Sequence, residues 1–139
     1  MRKTLKYWLA LRDISTSEII PFRKNYKAGD VFRSIIEHGP SFMEITPSLA
    51  KELRRIQTTL RRIEREQNKW YSKDLDYRNS QQWRYSRKLD GLAIEERNAK
   101  RKYAELIFNA TGKEVTITST PLYGLDQIRQ RTYGKGMGV

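Results

Sequence analysis

The chain has 139 residues, a size that suits one domain with one modest core. It carries 28 Lys and Arg against 16 Asp and Glu, a formal charge of +12, so its surface repels itself and attracts polyanions: nucleic acid, anionic membrane or acidic protein. The absence of cysteine excludes a disulfide framework and a thiolate metal site, and 11% aromatic content with clear apolar periodicity makes intrinsic disorder a poor description.

Leu5 to Leu11 is an apolar run with aromatics and reads as a buried strand. Its run from Tyr7 to Leu11 is too short for a signal-peptide core and no small-residue cleavage site follows. No stretch approaches the ~20 apolar residues of a membrane span. The expected location is cytoplasmic or inside a nucleoprotein or virion particle, not secreted. Arg12 to Ser17 is polar and turn-like, and Pro21 rules out a helix through Ile19 and Ile20. The opening, with Leu11-Arg12-Asp13 and Pro21-Phe22, looks similar to short non-structural proteins of small DNA phages. That resemblance is confined to the N-terminal stretch and implies no functional residue.

Asp30 is placed to cap a short helix over Val31 to His38, with Gly39 at its C-terminal side and Pro40 beyond. Thr46 is a good N-cap with Pro47 at the first helical position. The helix predicted from there to about Tyr71 spans roughly 40 Å at ~1.5 Å per residue. Leu53, Ile56, Leu60, Ile63 and Trp70 recur at three- and four-residue steps, interrupted by Gln67, and form an apolar seam. Ser72 to Ser80 breaks the pattern and reads as a hairpin turn, with Ser80 capping a second helix. Tyr85, Leu89, Leu92, Ala99, Tyr103 and Leu106 resume the seam, with Glu96 as the exception. Asp90-Gly91 marks a kink or restart, because Gly costs ~1 kcal/mol against Ala inside a helix. Thr111-Gly112 ends the element. Glu114 to Ser119 alternates as a strand with Val115 and Ile117 on one face, expected to pair with Leu5 to Leu11.

The fold class expected is α+β, mainly α. A long antiparallel helical hairpin carries a small sheet from N- and C-terminal strands. Residues 1–120 form that hairpin-based domain, and 121–139 an extended, basic, Gly-rich arm.

Catalytic chemistry has little support. His38 is the single histidine and reads as a helix-end residue, so no Ser-His-Asp or Cys-His set assembles around it. Asp74 and Asp76 read as turn caps ahead of metal ligands. Gly134 to Gly138 lacks the spacing of a phosphate loop. No enzyme activity, cofactor, metal or small-molecule substrate is expected.

Two constellations point to binding. On the first helix, Arg54, Arg55, Arg61, Arg62, Arg65 and Lys69 lie on the side away from the seam. Guanidinium grips phosphate bidentately and stacks on bases, whereas an ordinary solvated face mixes Lys and Glu. Glu64 and Glu66 offer partial neutralisation through neighbouring pairs. Around the turn, Trp70, Tyr71, Tyr77, Trp83 and Tyr85 interleave with Lys73, Arg78 and Arg84. Aromatics among cations suit stacking on unpaired bases, and equally a protein hot spot. Trp70 and Tyr85 continue the seams and are assigned to packing, with Trp70 against Trp83 as one way of locking the helices. Tyr71, Tyr77 and Trp83 are the contact candidates. Arg129 and Arg131 in the arm add phosphate contacts. The leading expectation is a basic nucleic-acid-binding or packaging protein, contacting mainly the backbone of RNA or DNA. The alternative is a structural subunit of a large assembly (virion, connector or ribonucleoprotein-type particle) whose arm docks on neighbouring copies.

Overall fold

A computed structural model describes residues 5–15, 25–34 and 39–125. The described residues are mainly helical and form three helices and a small four-stranded mixed sheet. The sheet is built around β1 (Lys6–Ala10), which pairs antiparallel with β4 (Val31–Ser34) on one side and β5 (Phe42–Ile45) on the other. Leu9 stands opposite Val31 and Met43. The last strand, β6 (Tyr123–Leu125), lies parallel to β4, with Val31 opposite Tyr123. A separate short pair is formed by β2 (Ile14–Ser15) and β3 (Asn25–Tyr26).

Alternation along β1 explains why both sheet faces are covered. Trp8, Ala10 and Phe32 turn to one face, where Tyr26 packs on Phe32 and Phe42 at ring separations of 5.0 and 5.1 Å. Leu9, Val31 and Ile45 turn to the other. There they meet Leu49, Ala50 and Leu53 of α1 (Pro47–Tyr71), Tyr103 and Ile107 of α3 (Gln82–Thr111), and Val115 and Ile117. Apolar area removed from water at this junction stabilises the packing of the helices on the sheet.

Local chemistry sets the ends of the helices. Thr46 Oγ1 accepts the Leu49 N–H at 3.1 Å, with Pro47 following. Gly112, at φ +77°, closes α3 through its N–H to the Phe108 carbonyl at 2.8 Å. Between the long helices sits the short α2 (Leu75–Ser80), capped by Asp74, whose Oδ1 accepts the Tyr77 N–H at 2.7 Å. The seam residues Leu53, Leu60 and Ile63 of α1, and Leu92 and Tyr103 of α3, are buried. Contacts between α1 and α3 run in opposite chain directions: Gln57 with Tyr103, Gln67 with Glu96, Trp70 with Tyr85.

Several expectations are corrected. Val31–Ser34 is a strand, not the start of a helix; Ile35 to His38 lie outside the described residues, as does Pro21. A short apolar run does not separate helix from strand by period alone, and the β-branched and aromatic Val31-Phe32 pair fits beside β1. Asp30 therefore caps no helix. It is fully buried, and its carboxylate accepts the N–H of Lys27 at 2.8 Å and of Leu122 at 2.9 Å. Glu114 to Ser119 is not a strand, although Val115 and Ile117 do turn inward. No neighbouring strand pairs with it among the described residues; instead, Lys100 Nζ donates to the Thr118 carbonyl at 3.1 Å. Pairing with β1 is taken by β4 and β5. Ser80 does not cap α3, whose N-cap position is Gln81 without a side-chain bond, and α3 runs unbroken through Gly91. The arm does not begin at Pro121: that residue is fully buried, and β6 belongs to the sheet.

Candidate nucleic-acid interface

The first helix sorts its cations by environment. Arg55, Arg61, Arg65 and Lys69 are exposed, and no ion pair holds them among the described residues. Arg61, Arg65 and Lys69 follow at four-residue steps and share one side of α1. Glu64 and Glu66 make no ion pair with this row among the described residues. Two arginines of the expected row are engaged otherwise. Arg62 Nη2 reaches Glu95 of α3 at 3.0 Å, an exposed pair of small energetic weight. Arg54 lies over the ring of Tyr123 at 4.4 Å from its centroid, tying α1 to β6. Burial pushes the Tyr123 phenol above its ordinary value, with Tyr7 adding to the shift and Arg54 opposing it.

The turn region is partly a lock. Trp70 packs against Tyr85 and Tyr77, with ring centroids 6.5 and 6.2 Å away. Lys73 Nζ stands over both Trp70 and Tyr77, at 5.4 and 4.9 Å. Arg78 donates to the Tyr71 carbonyl and lies over the Tyr85 ring at 5.4 Å. Tyr77 and Arg78 are thus half-buried parts of the turn, not the free contact groups the sequence suggests. Tyr71 and Trp83 do stand in solvent, at 54% and 73% exposure. Trp83 makes no ring contact with Trp70; its only ring neighbour among the described residues is Arg87, 5.0 Å from its centroid.

A groove of about 640 Å³ opens between α1 and α3. Arg62, Glu66 and Trp70 form one wall, and α3 supplies Trp83, Arg84, Arg87, Lys88, Gly91, Leu92 and Glu95. Arg84 and Lys88 are exposed and, among the described residues, make no ion pair. Sequence reading found Trp83 and Arg84 and missed Arg87, Lys88 and Gly91. Arg84 and Lys88 four residues apart were the available signal. Arg129 and Arg131 lie outside the described residues, as do His38 and the glycines from 134 to 138. No helix among the described residues is long and apolar enough to cross a membrane.

Comparison with protein-family models, with curated proteins and with solved structures finds no match to this chain.

Proposed function

We propose that this chain is a non-catalytic basic protein that binds nucleic acid through the helical hairpin of α1 and α3, with the basic stretch after Leu125 adding contacts. The observation that carries this reading is the row Arg61, Arg65 and Lys69, exposed and without ion pairs among the described residues, on a helix whose opposite side is buried. A row of guanidinium and ammonium groups fixed on a rigid helix is spaced to meet successive phosphates, and a formal charge of +12 draws the polyanion in. Arg55 and the groove cations Arg84 and Lys88 extend the surface.

The test is fluorescence anisotropy of a labelled oligonucleotide across a salt series. For about six phosphates neutralised, log K falls with log salt at a slope near −5. Arg61→Glu, Arg65→Glu and Lys69→Glu together abolish binding and leave helix content intact. Affinity that ignores salt sinks the reading.

A second reading, a structural subunit of a large assembly, draws on α3. Ile94 and Phe108 are 52% and 50% exposed and stand about four turns apart on one side of that helix. Concentration-dependent sedimentation without oligonucleotide binding favours this reading over the first.

A further inference from the structure

We propose that the groove between α1 and α3 holds an unpaired nucleotide, its base stacked on Trp83 and its phosphate gripped by Arg84 and Lys88, so that single-stranded nucleic acid is preferred over duplex. The proposal rests on the nucleic-acid reading above and narrows it to one ligand class.

Three observations converge on the groove. The first is Trp83. An indole left 73% exposed at the rim of a groove is apolar surface that the fold leaves largely in water. A base offers it a π-face; a duplex hides its base faces within the stack. Arg87, over the same ring, adds a cation that stacks and pairs with phosphate.

The second is charge. Four cations and two carboxylates line the groove, and one carboxylate, Glu95, is already matched by Arg62 at 3.0 Å. Arg84 and Lys88 remain for an anion beside the ring. A purely acidic peptide such as polyglutamate would satisfy those cations but would leave the indole in water. A nucleotide satisfies both.

The third is Gly91. Glycine is the poorest helix former after proline, yet here it stands inside a 30-residue helix. It adopts no left-handed conformation, and a Cβ built on it would meet no atom within 4 Å. Packing therefore does not require a glycine at this position. Gly91 lines the groove, and the lack of a side chain there leaves that stretch of it open. The volume of about 640 Å³ lies within the range, about 300–1,000 Å³, of sites that enclose small ligands.

The experiment compares labelled oligo(dT) and oligo(U) with a duplex of equal length at one fixed salt concentration. The single strands bind about tenfold tighter, the size of a lost stacking contact, and quench indole fluorescence. Gly91→Leu fills the groove without altering charge. It weakens single-strand binding about tenfold, affects duplex binding far less, and keeps or raises the melting temperature, because the helix gains a better former. Trp83→Ala matches it and loses the quenching, while Trp83→Phe retains most of the affinity. Equal affinity for strand and duplex overturns the proposal, as does Gly91→Leu without effect on oligo(dT), or polyglutamate competing as well as oligo(dT). Salt-dependent binding of both ligands with equal strength leaves the nucleic-acid reading standing and removes only the groove. Failure of both ligands to bind removes both.

Discussion

The side-chain amide of Gln57 donates to the Tyr103 hydroxyl at 3.0 Å in the interior of the molecule, where both residues are fully buried. Tyr103 passes the bond on to the Gly29 carbonyl, and Gln57 Nε2 also reaches the Leu122 carbonyl at 3.4 Å. One polar node thus joins α1, α3, the turn before β4 and the segment before β6. It is not fully satisfied, since Gln57 Oε1 has no hydrogen-bond partner among the described residues. Tyr103→Phe orphans the Gly29 carbonyl and one amide bond and lowers stability by roughly 1–3 kcal/mol. Gln57→Leu removes a buried oxygen that is already unpaired and costs less. The double variant is closer to the wild type than the sum of the two predicts, a coupling read from a double-mutant cycle of denaturant unfolding.

The same tyrosine gives stability an alkaline limit. Burial pushes its phenol well above the ordinary value of 10, against a smaller opposing effect of the Gln57 hydrogen bond. The unfolded chain loses that proton above about pH 10 while the folded chain keeps it, so this contribution is complete below pH 10 and declines as pH rises. Tyr103→Phe flattens the decline in a series of melts above pH 9.

Glu96 acts at the other end of the scale. Its carboxylate takes Lys100 Nζ at 2.7 Å and Gln67 Nε2 at 3.0 Å, and the Lys100 bond is the main cause of a pKa below the ordinary 4.5, opposed by burial. The stability it contributes is present above pH 4.5 and lost as pH falls through the folded value. The pair is partly solvated, so the effect is small. Glu96→Gln reduces the loss of melting temperature between pH 6 and pH 3.

Asp30 anchors the closing strand. Asp30→Ala leaves the amides of Lys27 and Leu122 without their acceptor, at roughly 1–3 kcal/mol for each one that water does not reach. Truncation after Thr120 removes Pro121 and β6 and lowers the melting temperature far more than truncation after Leu125. Equal melting of the two lengths would mean that β6 contributes nothing to the sheet.

Leu60 tests the seam between the long helices. It is 1% exposed, and Leu60→Ala costs about 2–5 kcal/mol, read as a shift in urea midpoint. Gly29→Ala is a second test near the node: at φ +96° its Cβ would approach Ile117 Cδ1 to 2.6 Å, so the variant loses stability.

Helices were legible where several local signals agreed. Thr46-Pro47 and Gly112 marked ends, and the spacing of Leu53, Leu60 and Ile63 marked the buried side. Gln57 sits at the same spacing, four after Leu53 and three before Leu60, but a polar side chain hides in an apolar count. Strands were harder. Val115 and Ile117 alternate as a strand does, yet pairing depends on which backbone lies alongside, and that is a tertiary fact. β6 is three residues long and was lost among glycines and cations. For the candidate site, residue types gave the cations and Trp83, while chain geometry decided which were free. Arg54, Arg62 and Arg78 look like Arg61 in sequence, but Tyr123, Glu95 and the Tyr71 carbonyl hold them.

The parallel pairing of β6 with β4 has a consequence for biosynthesis. Each long helix can form from neighbouring residues as soon as it leaves the ribosome, but β4 must wait for a partner made some ninety residues later. Through that interval one side of β4 is an unpaired edge, open to other chains. A nascent chain stalled before Pro121 would therefore present a half-built sheet with one edge of β4 open beside finished helices.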